Sequence, residues 1–179
     1  MLNKQWAQFK SGTDIRGVAS EGVAGQEVNL TDDVVEKISA GFALWLSDRL
    51  GKTPAELKIA VGHDSRISAD RISAAVQRSL MAAGITVYDC GLASTPSMFM
   101  ITIDLPCDGA VQITASHHPF NRNGLKFFTK DGGLDSADIA AILQFAQDGQ
   151  YPAAADGGKS VPTDYMTRYC EHLREIIKK

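Results

Sequence analysis

Three short apolar runs, Leu57–Val61, Ile85–Tyr88 and Gly109–Ile113, are separated by stretches whose apolar residues recur at helical spacing. Four or five small and branched residues between polar punctuation fit a buried strand. Between the runs, Ile72, Ala75, Val76, Leu80 and Ala83 make one helical stripe, closed by Gly84. Met98, Phe99, Ile101 and Ile103 make another, read as core. It opens with Thr95 as N-cap and Pro96 in the first turn, where a missing N–H costs nothing. Strand–helix alternation of this kind requires crossovers. The expected fold is therefore α/β, a mixed, mostly parallel sheet with helices on both faces.

The flanks extend the pattern. Thr31 is an N-cap, and Asp32 and Asp33 suit the positive helix end that follows. Val34, Val35, Ile38, Phe42, Trp45, Leu46 and Leu50 share one helical face until Gly51 ends the run. Ser136 is read as the cap of a helix reaching Gln147. From Gly149 to Pro162 the chain turns to Pro, Ala and Gly and reads as a linker. Tyr165, Tyr169, Leu173, Ile176 and Ile177 then form a last apolar stripe that needs a partner.

The chemistry-bearing groups gather between two strand-like runs. Val111–Ile113 leads into Thr114-Ala115-Ser116-His117-His118-Pro119, and Leu125–Phe128 resumes as strand. Pro119 pushes His118 away from helix. Asn123-Gly124 reads as a turn pair, because both residues tolerate positive φ. Ser116 is a poor nucleophile unless a base or cation activates it, and His117, His118 and Lys126 are at hand. The plainer reading is a turn serine beside solvated imidazoles. The density of polar groups in one constrained loop favours function.

Two other segments carry charge near glycine. In Gly12-Thr13-Asp14-Ile15-Arg16-Gly17, Arg16 has a planar fork suited to phosphate; a simple pair with Asp14 or a surface carboxylate is the alternative. In Gly62-His63-Asp64-Ser65-Arg66, the polar run follows a strand, where α/β folds collect ligand groups. Asp64 and Arg66 read as a structural pair that shapes the loop.

Net charge is −3, which argues against a nucleic-acid or anionic-membrane surface. No apolar run approaches transmembrane length, and Met1–Lys10 lacks a signal-peptide core. Cys90, Cys107 and Cys170 are odd in number and widely spaced, which fits reduced thiols and a cytoplasmic setting.

Taken together, Thr114–Pro119 followed by Asn123-Gly124-Leu125-Lys126 resembles the phosphoserine loop of the α-D-phosphohexomutases, the phosphoglucomutases and phosphomannomutases. That loop usually reads T-A-S-H-N-P and then N-G-x-K; His118 stands here in place of the Asn. Residues 12–17 resemble the family's N-terminal segment, and residues 62–66 its G-x-D-x-R segment. The resemblance runs from Gly12 to about Tyr169 and covers the first of four family domains. It implies a phosphoserine domain over residues 1–148, with 149–179 a linker and the start of a helix toward a further domain. The family's D-G-D-G-D-R metal loop and its sugar-reading loop do not occur in this sequence.

The resemblance further implies what the residues do. Ser116 would carry the phosphoryl group and, through it, meet Mg²⁺, whose other ligands lie outside this sequence. Lys126 would accept a proton or stabilise charge, His117 would orient the phosphoserine, and Arg16 would stabilise phosphate charge. Thr13, His118, Asn123, Gly124, Asp64 and Arg66 would bind phosphate or shape the loop. The implied partners are a hexose phosphate and a hexose bisphosphate, with phosphoryl moving between the 1- and 6-positions. This stretch by itself would have no substantial turnover. Two other classes stand against this: a non-catalytic sugar-phosphate-binding or assembly domain, and a serine hydrolase. The latter is disfavoured because no G-x-S-x-G elbow is present. No G-x-G-x-x-G opens a helix, so a dinucleotide site is disfavoured too.

Overall fold

The computed structural model describes residues 1–178, so the last residue of the 149–179 segment lies outside the described residues. One mixed sheet runs through the molecule. Its strands are β1 (Lys10–Ser11), β2 (Asp14–Val18), β3 (Lys58–His63), β4 (Thr86–Leu92), β5 (Gly109–Ile113), β6 (Arg122–Thr129), β7 (Gly132–Gly133) and β8 (Lys159–Pro162). The order is β1-β2-β6-β5-β3-β4-β8, with β7 paired to β6. The half formed by β5, β3, β4 and β8 is parallel. The half formed by β1, β2, β6 and β7, together with the β5–β6 seam, is antiparallel. The division follows the connections. Helices cross between the parallel strands, whereas the short loop 114–121 lets the chain return only antiparallel.

Among the described residues six α-helices pack on the sheet: α1 (Lys4–Ala7), α2 (Asp32–Leu50), α3 (Ala69–Ala82), α4 (Thr95–Asp104), α5 (Ser136–Gln147) and α6 (Tyr165–Ile177). One face buries Ile38, Phe42 and Leu46 of α2, Ile72, Val76 and Leu80 of α3, and Ile139, Ile142 and Leu143 of α5 against Ile59, Val111 and Phe127. Phe42 and Phe127 meet with ring centroids 4.5 Å apart. Each such side chain contributes roughly 2 kcal/mol on leaving water. The other face holds a smaller cluster of Met98 and Ile101 of α4, Tyr165 of α6, and Ala60, Ala110 and Phe128.

The helix ends are largely as the sequence predicts, with informative shifts. Thr31 caps α2 and Gly51 closes it at φ 64°. Ser94, not Thr95, caps α4 by accepting from the Ser97 N–H. Asp135, not Ser136, caps α5 by accepting from Ala137 and Asp138. In both cases an oxygen-bearing residue one step earlier reaches the orphan donors. Ile103, expected in the core, is exposed.

The segment 149–162 is not the free linker its composition suggests. Lys159–Pro162 pairs in parallel with Thr86–Asp89 as the edge strand β8. A Cβ on Gly158 would run into the Met81 carbonyl, so only glycine lets the chain pass α3 so closely. Tyr165 is buried and its hydroxyl donates to Asp104 at 2.7 Å. Leu173, Ile176 and Ile177, further along the same helix, are exposed.

Candidate active site

The parallel strands β3, β4 and β5 end at one edge, and the loops after β3 and β5 meet there. Asp64 N donates to the Ile113 carbonyl at 3.0 Å, joining the two loops where they leave the sheet. The loop after β5, residues 114–121, carries exposed Ser116 and His117 and half-buried His118.

Ser116 has φ 55°, the one positive φ outside glycine among the described residues. Left-handed backbone costs a residue with a Cβ roughly 1–2 kcal/mol, and such strain gathers at functional sites. Two devices hold it. The Ser116 N–H donates to Thr114 Oγ1 at 2.9 Å, and that hydroxyl donates to Asp64 Oδ2 at 2.7 Å. The second device is Arg66. Its Nε donates to Asp64 at 3.2 Å. Its Nη1 group donates to the carbonyls of Pro119 and Arg122, both at 2.9 Å. Its Nη2 group donates to the carbonyls of Ser116 at 2.6 Å and His118 at 2.9 Å. All five donors of the guanidinium are thereby used. One side chain draws together the carbonyls on both sides of the loop.

Gly124 and Asn123 lie inside β6, so they are not the turn that the sequence predicts. Asn123 is fully buried and donates to Ser68 Oγ at 3.0 Å. Gly124 faces Arg16 across the β2–β6 ladder, and a Cβ there would collide with the Ile15 carbonyl and lie 3.0 Å from Arg16 Cγ. The glycine serves close strand approach, and it leaves room for the arginine side chain to cross. The loop consequently ends at Asn121, and Lys126 sits in mid-strand.

Arg16 makes the Asp14 pair that the sequence offered as one alternative, and a contact with His118 besides. Its Nη2 donates to Asp14 at 2.9 Å, and its Nη1 lies 2.6 Å from His118 Nε2. Because the guanidinium can only donate, His118 Nε2 is the acceptor and its proton sits on Nδ1. Burial, and then the charges of Arg16, Arg122, His117 and Arg66, hold the His118 pKa below the ordinary imidazole value. Lys126 Nζ lies 2.6 Å from the other oxygen of Asp14. Lys126, Asp14, Arg16 and His118 thus form one chain of polar contacts, and the His118 ring stacks on His117 with centroids 5.2 Å apart. His117 Nδ1 is 3.4 Å from Ser116 Oγ, at the outer limit of a hydrogen bond. No carboxylate orients His117 among the described residues, so the serine–base–acid arrangement of a hydrolase is not assembled.

Thr13 is exposed in the turn between β1 and β2, where Gly12 has φ 64°, and its side chain makes no hydrogen bond among the described residues. Four cations, Arg16, Arg66, Arg122 and Lys126, face two carboxylates, Asp14 and Asp64, which leaves the site net positive. Such a field suits a phosphate dianion. Arg122, at the start of β6, was not singled out from the sequence, and Asp14 was read there only as a pair for Arg16, not as the bridge to Lys126. Asp14 was legible as the residue two before Arg16, on the same side of a strand.

The chain is thus an α/β/α domain with a strained, exposed serine in a net-positive loop at the carboxyl edge of its parallel strands. Residues 8–152 match the family described as phosphoglucomutase/phosphomannomutase, alpha/beta/alpha domain I, and the chain belongs to that family. It is 36% identical over 166 residues to a phosphoglucosamine mutase of Arthrobacter sp. (strain FB24), matching 90% of this chain and 35% of that protein. It is 31% identical over 160 residues to a phosphomannomutase of Escherichia coli, matching 87% of this chain and 33% of the other. A shorter phosphomannomutase of Klebsiella pneumoniae is 32% identical over 133 residues, 73% of this chain and 78% of its own length. A crystal structure of a phosphoglucomutase/phosphomannomutase family protein from Burkholderia thailandensis has the same fold, with a TM-score of 0.76 at 23% identity over 96% of this chain and 36% of that one. The chain spans about a third of the length of most of these relatives.

Proposed function

We propose that this chain is the phosphoserine domain of a phosphohexomutase. Ser116 carries a phosphoryl group and passes it to a hydroxyl of a hexose phosphate. The resulting bisphosphate turns round and returns its other phosphoryl group to Ser116. The observation that carries this reading is the backbone of Ser116. The backbone of this exposed, left-handed serine is held by Thr114 and Arg66 inside a positive field. Phosphoryl transfer depends on positioning and on neutralising oxygen charge, and the loop supplies both.

In this reading Arg16 and Lys126 stabilise phosphate charge, with Asp14 holding both in place. The carboxylate contact of Lys126 favours charge stabilisation over proton acceptance. His117 and His118 orient the group, while Asp64, Arg66, Asn123 and Gly124 hold the loop. Among the described residues no three His, Cys, Asp or Glu side chains converge as a metal site. Asp14, the carboxylate closest to the network, is already engaged by two cations. The chain's own residues therefore do not make up an oxygen set for Mg²⁺. In this proposal the ion meets the chain only through a phosphate on Ser116, with its carboxylates supplied from outside residues 1–179. No helix among the described residues is long and apolar enough to cross a membrane.

The test is the mass of Ser116. Incubation with glucose 1,6-bisphosphate and Mg²⁺ should add one phosphate that maps to the Ser116 peptide and is absent in Ser116→Ala. The isolated chain should not interconvert hexose phosphates at an enzyme-like rate; if it does, the assignment to one domain of a larger catalyst is wrong.

A further inference from the structure

Among the described residues, every cation at the loop is committed except one. Arg16 is engaged by Asp14 and His118, Lys126 by Asp14, and Arg66 by four carbonyls and Asp64. Arg122 is different. It lies in the gap between the two halves of the motif, Thr114–Pro119 and Asn123–Lys126, and opens β6. Its backbone is pinned on both sides: the N–H donates to the Pro119 carbonyl at 3.0 Å, and the carbonyl accepts from Arg66 at 2.9 Å. Its side chain makes no hydrogen bond or ion pair with any described residue, and its Nε, like that of Arg16, is buried without a partner.

The position is as informative as the missing partner. Arg122 faces Val18 in the β2–β6 ladder, two places from Gly124, over which Arg16 crosses. Strand alternation puts Arg122, Gly124 and Lys126 on one side of β6, the side of Arg16 and Asp14. The guanidinium is within electrostatic reach of His118, next but one to Ser116. A buried donor with no acceptor is costly, and a half-buried guanidinium without a counter-ion more so. A fold that holds its backbone this firmly while leaving the charged end unmatched is built to be completed by an anion. The planar fork of arginine matches phosphate oxygens two at a time.

We propose that Arg122 grips the phosphoryl group on Ser116, acting as a phosphate-binding residue in addition to those of the motif. The proposal rests on the reading of Ser116 as the phosphorylated residue. The ligand is a phosphate monoester dianion, and Arg122 supplies donors that no described residue occupies.

The test places phosphoserine at position 116 during translation, so that it does not depend on loading by a sugar bisphosphate. Phosphorus NMR then follows the second ionisation of the phosphate in the metal-free chain, ordinarily near pH 6. Arg122→Gln should raise that ionisation by roughly one pH unit, as loss of an adjacent cation does. Arg122→Lys should keep most of the depression, and Lys130→Gln, at an exposed turn, should leave it unchanged. In the wild-type chain the Arg122 Nε–H signal should move on phosphorylation, a measurement that needs no variant to fold. An Arg122→Gln phosphate that ionises as in wild type, or an Nε–H signal indifferent to phosphorylation, overturns the proposal. The two readings fail separately. If a bisphosphate loads Ser116 while Arg122→Gln leaves the ionisation unchanged, only the grip is wrong. If Arg122 governs the installed phosphate while no bisphosphate loads the serine, only the mutase reading falls.

Discussion

Arg66 Nη2 lies 2.6 Å from the backbone carbonyl of Ser116, fifty residues away in sequence, and the same side chain holds three further carbonyls around the loop. The relationship makes the serine's conformation a property of the loop after β3. Arg66→Lys keeps the charge but replaces a planar fork of five donors with a point charge of three. Stability should fall by about 2 kcal/mol or more in urea titration, because several carbonyls lose their partner in a partly buried place. Loading of phosphate on Ser116 should fall with it. A lysine variant with wild-type stability would show that the loop holds itself.

Ser116 itself should be a stability defect. Ser116→Gly removes the Cβ from a left-handed position, and the gain should be about 1 kcal/mol in thermal or urea unfolding, while phosphate loading is abolished. A neutral or destabilising effect would mean that the positive φ is not strained.

His118 sets a pH dependence. The unfolded chain binds its proton near pH 6.5, whereas burial and the charges of Arg16, Arg122, His117 and Arg66 put the folded value lower. Between those two values the unfolded state holds more protons, so stability rises with pH. The contribution is complete above about pH 6.5 and is lost as pH falls toward the folded value. NMR titration should put the His118 midpoint below 6.5, with the neutral ring protonated on Nδ1. His118→Asn should flatten the fall in melting temperature over the same interval. A midpoint above 6.5 would contradict the Arg16 contact.

The cysteines should separate cleanly. Burial, with the charge of Asp89 and then Cys107, pushes the Cys90 thiol up to about 12, and burial and Asp108 do the same for Cys107. Cys170 is exposed on α6. A thiol reagent at pH 8 should modify one site in the native protein and three after unfolding. Rapid labelling of Cys90 would show that the face under α4 opens readily.

Much of this was legible in the sequence where one residue type had one physical use. Thr31 and Gly51 bounded α2 because an oxygen cap and a left-handed C-cap leave few alternatives. The run Thr114–Pro119 located the loop, because hydroxyl, imidazoles and proline fall together between strands. Asn123-Gly124 misled because the same pair serves a turn and a close strand contact, and only the Ile15 carbonyl, more than a hundred residues away, decides between them. Strand β8 was hidden because an edge strand needs little apolar content, and Ser160 and Pro162 look like linker. Arg122 was unreadable from spacing alone. Its importance lies in the partners that its neighbours have and it lacks.

The most direct test of the central claim is the intact mass of the purified chain, with peptide mapping, before and after glucose 1,6-bisphosphate and Mg²⁺. One added phosphate on the Ser116 peptide, absent in Ser116→Ala and diminished in Arg66→Lys, is the predicted result. A phosphate mapping to another residue, or none on Ser116 in a protein extended to the full length of its relatives, would contradict the account.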